Sequence, residues 1–229
     1  MTHFGLICPS STGHLNTMLP LGKELQQRGH RVTLIGTLDA KSKTIAAGLE
    51  FKSVGESEFP QGAMAESLTE LGKLSESEAL KYTIKLLSNY ATVLLRDAPE
   101  VIKEAEVEAL LVDQAASEGG TVAEFLKIPF ISICSALVLN REESIPPYFT
   151  TWGYSPAWWA RLRNKLGYKI LNRISQPITT VINQYRQEWK LPILSSPNQR
   201  YSPLAQISQQ PAALEFPREK LPQWFHFTG

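Results

Sequence analysis

The sequence predicts an α/β fold, a doubly wound and mainly parallel sheet with helices on both faces, as one domain over residues 1–229. Three observations carry that prediction. Short apolar runs recur without polar alternation (Phe4–Cys8, Val32–Ile35, Ala109–Val112 and Pro129–Cys134), the pattern of parallel strands covered on both sides. Between them lie segments with apolar residues at helical spacing. Glycine and proline punctuate the joins, so strand and helix alternate as right-handed crossover units require.

Taken in order, Phe4–Cys8 is the first strand, and Pro9 to Gly13 forms a turn of small side chains. A helix follows, with Leu15, Met18, Leu19, Gly22 and Leu25 on one face and Gly29 as its stop. Pro20 implies that the regular helix starts shortly before it or kinks there. Val32–Ile35 is the second strand. Asp39 is expected to cap a helix ending at Ala47, and Leu49–Val54 to give a third strand. Gly55–Lys73 reads as a polar surface loop. Ser75 with Glu78 is a capping-box pair opening a long helix whose apolar face is Leu80, Ile84, Leu87, Ala91 and Leu94. Pro99 is expected to interrupt it, and Tyr82 and Tyr90 are either pocket or packing residues.

Ala109–Val112 is the fourth strand, Glu118–Leu126 its helix and Pro129–Cys134 the fifth strand. Gly119-Gly120 permits a close backbone approach, to sheet or to ligand. Leu137–Tyr148 leaves the sheet as a loop. In the helix from Trp158 to Ile174, Trp158, Leu162, Leu166, Ile170 and Ile174 recur every four residues, as do Arg161, Lys165, Lys169 and Arg173. One reading packs the apolar stripe on the domain with a solvated basic flank; the other is a peripheral contact with a membrane surface. Pro177 breaks this helix, which resumes to Trp189. Short strands are expected at Ala205–Ile207, Ala213–Phe216 and Trp224–Thr228.

Composition narrows the classes. A net charge of +1 gives no general attraction to nucleic acid. Cys8 and Cys134 lie in apolar strand runs, in no metal-ligand spacing, and suit a reducing, cytoplasmic setting. The first residues read as a strand and not as a signal peptide, and no apolar run reaches the ~20 residues of a membrane span.

Chemistry concentrates in the turn after the first strand, since ligands of open α/β sheets bind outside the carboxyl ends of strands. A dinucleotide fingerprint lacks all but Gly13, and a Walker loop would need lysine where His14 stands. A flavodoxin-like loop at Ser10–Gly13, holding an FMN phosphate on hydroxyls and helix amides, remains open. So does His14 as a general base, against a capping or core histidine. Asp113 reads equally as a helix cap near Ala115 and Ala116.

CPSSTGHLNTMLPLGKELQQRGHRVTLIG resembles the opening of the GT-B-fold nucleotide-sugar glycosyltransferases, the macrolide, plant and carotenoid enzymes among them. Gly13-His14, Pro20 and Arg28-Gly29-His30 carry the likeness, which continues through LLVDQAASEGGTVAEFLKIPFISI. The resemblance implies a Rossmann-like, acceptor-binding domain of about seven strands, with the donor-binding domain outside this chain. It implies sugar transfer, from UDP-glucose in the first instance, to a hydroxyl of a small apolar acceptor. His14 would be the general base and Asp113 its orienting partner. Ser11, Thr12 and Gly13 would adjoin the reacting sugar or its phosphates, and loops after strands one, three, four and five would line the acceptor pocket. Neither metal nor cofactor is implied, and the chain alone would be inactive. The alternatives are an FMN-binding electron carrier and a non-catalytic acceptor-binding module.

Overall fold

A computed structural model describes all residues from Met1 to Gly229. Seven strands form one wholly parallel sheet in the order β3-β2-β1-β4-β5-β6-β7: β1 His3–Ile7, β2 Arg31–Gly36, β3 Glu50–Ser53, β4 Ala109–Asp113, β5 Phe130–Cys134, β6 Gln206–Ser208 and β7 Phe225–Phe227. Strands β1 to β3 build the sheet outward in one direction, and β4 to β7 build it in the other. The order therefore reverses between β1 and β4, where Ile7 pairs with Val112. Such a switch point opens a crevice at the carboxyl ends of its two strands.

Helices α1 (Thr12–Gln27) and α2 (Lys41–Ala46) cover one face, burying Leu6, Cys8, Leu34 and Leu111 against Leu15 and Met18. Helices α4 (Glu76–Glu104), α5 (Glu118–Leu126) and α7 (Gln176–Glu188) cover the other, around Ile7, Ile35, Leu110 and Val112. Adjacent strand residues thus go to opposite cores, which is why the runs show no alternation. Close helix–sheet seating needs small residues. A Cβ on Gly22 would stand 2.8 Å from Leu6 Cδ1, and one on Gly119 3.0 Å from Val112 Cγ1. Gly119 and Gly120 accordingly pack on the sheet, Gly120 facing the Phe130 ring.

Several elements depart from the expectation. Helix α1 begins eight residues before Pro20 and runs through it; the carbonyl Pro20 leaves without an amide belongs to solvent-exposed Asn16, within reach of water. Helix α4 likewise continues through Pro99, which is itself buried among Leu94, Leu95, Ala98 and Ile102. That burial offsets part of the proline cost of about 3 kcal/mol. The Gly55–Lys73 stretch holds a helix, α3 (Ala63–Leu71), capped from a distance: Asp39 accepts from the amides of Gly62 and Met64, both at 2.6 Å. Asp39 therefore caps α3, and not α2 as its sequence neighbourhood suggested. Residues 213–216 form no strand; a 3-10 turn spans Ala212–Leu214.

Helix α6 (Trp158–Ile174) reverses the packing reading of its apolar stripe. It seats on the domain by Ala160, Asn164, Gly167, Tyr168 and Leu171. Small and polar residues permit this: a Cβ on Gly167 would lie 2.9 Å from Pro147 and Trp152, and Asn164 Nδ2 donates to the Glu143 carbonyl at 3.1 Å. Trp158, Leu162, Leu166 and Ile170 face outward. Pro177 sits in the first turn of α7, where its missing amide costs nothing. No helix is long and apolar enough to cross a membrane.

Candidate active site at the sheet switch point

The crevice between β1 and β4 is where two sequence-distant groups meet. His14 stands in the first turn of α1, directly after β1, and Asp113 is the last residue of β4. Imidazole Nδ1–H donates to Asp113 Oδ2 at 2.7 Å. Asp113 is almost wholly buried, whereas a quarter of the His14 side chain reaches solvent. A carboxylate accepts only, so it holds the proton on Nδ1 and leaves the Nε2 lone pair available to an incoming proton.

The two roles weighed for Asp113 coexist on its two oxygens. Oδ1 accepts from the Ala115 amide at 2.8 Å and caps the 3-10 turn Gln114–Ala116. Oδ2 takes His14 and, in addition, the hydroxyl of Ser135 just past β5. Ser135 was not anticipated from the sequence. Its position one residue beyond a strand beside β4 is the signal that could have found it.

The residues expected beside His14 are grouped there, on a helix start rather than in a loop. Ser11 is the N-cap residue but its side chain caps nothing, and the first intrahelical bond is Leu15 N to Ser11 O at 3.1 Å. The amides of Thr12, Gly13 and His14 thus belong to the donor-rich first turn that favours anions. A Cβ on Gly13 would meet nothing within 4 Å, so the space over the turn is open. Thr12 Oγ1 accepts from Lys43 Nζ at 2.8 Å, bringing a cation to the same edge. Ser10 is buried with its hydroxyl 2.5 Å from that of Thr37, and this commitment inside the fold removes it from a flavin-phosphate cradle. His30 lies away from the dyad, accepting from the Thr2 amide at 3.3 Å and meeting Phe4 edge-on.

Two cavities lie along the N-terminal half of α4, lined by sequence neighbours of the dyad and not by His14 or Asp113 themselves. One, of about 250 Å³, is bounded by Gln114 and Ala115 beside Asp113, by apolar Ile84, Leu87, Leu139 and Ile178, and by a polar floor of Glu118 and Arg200. Burial raises the Glu118 carboxyl to about 7, its own amide and Arg200 opposing the rise. The other, about 60 Å³, lies among Pro9, Phe59, Met64, Leu86, Leu87 and Tyr90. Tyr90 is buried and donates its hydroxyl to the Cys8 carbonyl at 3.2 Å. Loops after β1 to β5 all contribute, together with α4 and the α6–α7 junction, which the sequence did not assign to a pocket.

The wall after β5 is clamped from the carboxyl-terminal part of the chain. Arg218 donates to the carbonyls of Val138 at 2.7 Å and Asn140 at 2.8 Å, beside Glu215 in a buried pair. Glu142, also buried, accepts from the amides of Glu219 at 3.1 Å and Lys220 at 2.8 Å.

Fold and crevice together define a class. The chain has the fold of the N-terminal α/β half of a GT-B glycosyltransferase. It superposes over its whole length on a kitacinnamycin glycotransferase (TM-score 0.70, 18% identity) and on a calicheamicin glycosyltransferase (TM-score 0.67, 16% identity), covering 51% and 53% of those chains. By sequence it is similar, again over its whole length, to the zeaxanthin glucosyltransferases of Pantoea ananas (35% identical) and Pseudescherichia vulneris (31% identical). The chain spans about half the length of these relatives, 53% and 54% respectively. No protein-family model matches it.

Proposed function

We propose that this chain is the acceptor-binding half of a glucosyltransferase acting on a carotenoid-like alcohol, with zeaxanthin as the acceptor to test and UDP-glucose as donor. The observation that carries the reading is the His14–Asp113 contact at the switch point, beside a largely apolar cavity. The names of the similar proteins supply the substrate class.

In this reading the acceptor hydroxyl attacks the anomeric carbon of the sugar. The new carbon–oxygen bond forms as the bond from that carbon to the diphosphate oxygen breaks, and the nucleoside diphosphate departs with the electron pair. His14 Nε2 takes the hydroxyl proton, while Asp113 holds the ring and stabilises the imidazolium. Ser11, Thr12 and Gly13, at the amide-rich start of α1, adjoin the sugar or its diphosphate, and the remaining donor contacts belong to a second domain. No metal or further cofactor enters this scheme. The buried free thiols Cys8 and Cys134 support a reducing, cytoplasmic setting.

The test is transfer by the native reading frame carried past Gly229. With UDP-glucose and zeaxanthin, a slower-migrating glucoside is expected. A frame that encodes a second α/β domain and yields no glucoside from any carotenoid alcohol would overturn the reading.

A further inference from the structure

Helix α6 carries its largest apolar side chains on the face that nothing in the chain covers. Trp158 is 77% exposed, Trp159 is 50% exposed, and Leu162, Leu166 and Ile170 lie between 52% and 54%. The helix has five basic residues (Arg161, Arg163, Lys165, Lys169 and Arg173) and no acidic one. Arg161 pairs with Glu219 at 2.5 Å and Lys165 with Glu143 at 3.5 Å, whereas Arg163 lies over the Trp152 and Trp159 rings. Lys169 and Arg173 are exposed and form no ion pair, and they flank Leu166 and Ile170.

We propose that α6 docks on an anionic lipid bilayer. Exposed isoleucine and leucine would enter the acyl boundary, the tryptophans would sit at headgroup depth, and the basic stripe beside them would meet lipid phosphates. From Trp158 to Ile170 the stripe is ~18 Å long, continuous and on one side of the helix, which suits shallow seating parallel to a surface. Charge decides against a second copy of the chain as the occupant: Lys169 and Arg173, which have no acidic partner, would face their own copies across an isologous contact with no carboxylate on either helix to offset them.

The end of the stripe leads inward. Ile174 and Pro177 join Leu80 and Ile84 around a groove of about 610 Å³ whose remaining lining is polar, Lys81 and Lys85 included, and Ile84 also lines the cavity beside Gln114. Resting on the proposed function, this groove is the port through which a bilayer-dissolved alcohol reaches His14.

Vesicle flotation tests the docking without any need for turnover. The 229-residue chain is mixed with phosphatidylcholine vesicles, with or without phosphatidylglycerol. It is expected to float with the anionic vesicles, to release as salt is raised, and to show a blue-shifted tryptophan emission when bound. The triple variant Leu162→Gln/Leu166→Gln/Ile170→Gln and the double variant Lys169→Glu/Arg173→Glu change only exposed side chains. Each should lower partition at least tenfold, while Ile45→Gln/Leu68→Gln, equally exposed but elsewhere, and His14→Ala float like the parent. Any of three results would overturn the proposal: a parent that ignores anionic vesicles, α6 variants that bind as the parent does, or a stable dimer in solution that the triple variant dissociates. Flotation together with absent transfer would leave the docking standing and remove only the port.

Discussion

His14 and Asp113 lie 99 positions apart in sequence and 2.7 Å apart in space. They meet because β1, whose following turn leads into the helix that carries His14, and β4, which ends in Asp113, are neighbours where the strand order reverses. Each is fixed by its own element: His14 by the first turn of α1, Asp113 by the 3-10 turn that it caps.

That division of labour on Asp113 yields a separable outcome. Asp113→Asn keeps an acceptor for the Ala115 amide but can present an amide to His14 and leave Nδ1 unprotonated. Transfer is expected to fall by roughly two to four decades with thermal stability lowered by no more than ~2 kcal/mol. Ser135→Ala, which removes one bond to the same oxygen, should cost transfer about tenfold or less. Steady-state kinetics and thermal melts on the same preparations check both.

Glu118 makes stability fall as pH rises. Burial lifts its carboxyl from 4.5 to about 7, so between these values the folded chain keeps a proton that the unfolded chain has released. Fewer protons on the unfolded state mean that stability decreases through this window. Glu118→Gln removes the penalty. Relative to the parent it should gain up to about 3 kcal/mol between pH 4 and pH 8, read from urea midpoints across that range. Parallel parent and variant curves would contradict the account.

Arg186 joins the α5 and α7 layers. Only 3% exposed, it donates to Glu124 at 3.1 and 2.7 Å, to Thr121 at 3.1 Å and to the Pro192 carbonyl at 2.6 Å. Arg186→Ala leaves Thr121 and the Pro192 carbonyl unpaired and opens a void, while Glu124, 38% exposed, can turn to water. A destabilisation of about 2–3 kcal/mol is expected in equilibrium unfolding.

Arg218 should act on the proposed acceptor cavity without touching His14 or Asp113. Arg218→Met retains much of the buried volume but frees the Val138 and Asn140 carbonyls, loosening the wall that carries Leu139. Zeaxanthin affinity, read from tryptophan quenching, is expected to weaken on the order of tenfold, about 1.4 kcal/mol. Unchanged affinity would detach the clamp from the pocket.

The sheet was legible because parallel strands buried on both sides must be continuously apolar, as Phe4–Cys8 and Ala109–Val112 are. The dyad was legible only with the family resemblance, since spacing alone left His14 and Asp113 as ordinary capping or core residues. The misreadings share a cause: tertiary contacts outweighed local signals. Pro20 read as a helix start or kink and Pro99 as an interruption, yet α1 starts eight residues before Pro20, which faces water, and Pro99 is buried in the packed face of α4. Asp39 read as a local cap, yet its carboxylate crosses to α3. The outward face of α6 was hidden because periodicity identifies a stripe without saying which side the fold covers. Gly167 and Asn164, which make the covered side, carry no hydrophobic signal.

The most direct test of the central claim compares His14→Ala with the parent in glucose transfer from UDP-glucose to zeaxanthin, each supplied together with a donor-binding domain. The account predicts a loss of two to four decades in kcat with the fold intact and acceptor binding retained. Transfer within a few-fold of the parent would return His14 to a structural residue and contradict it.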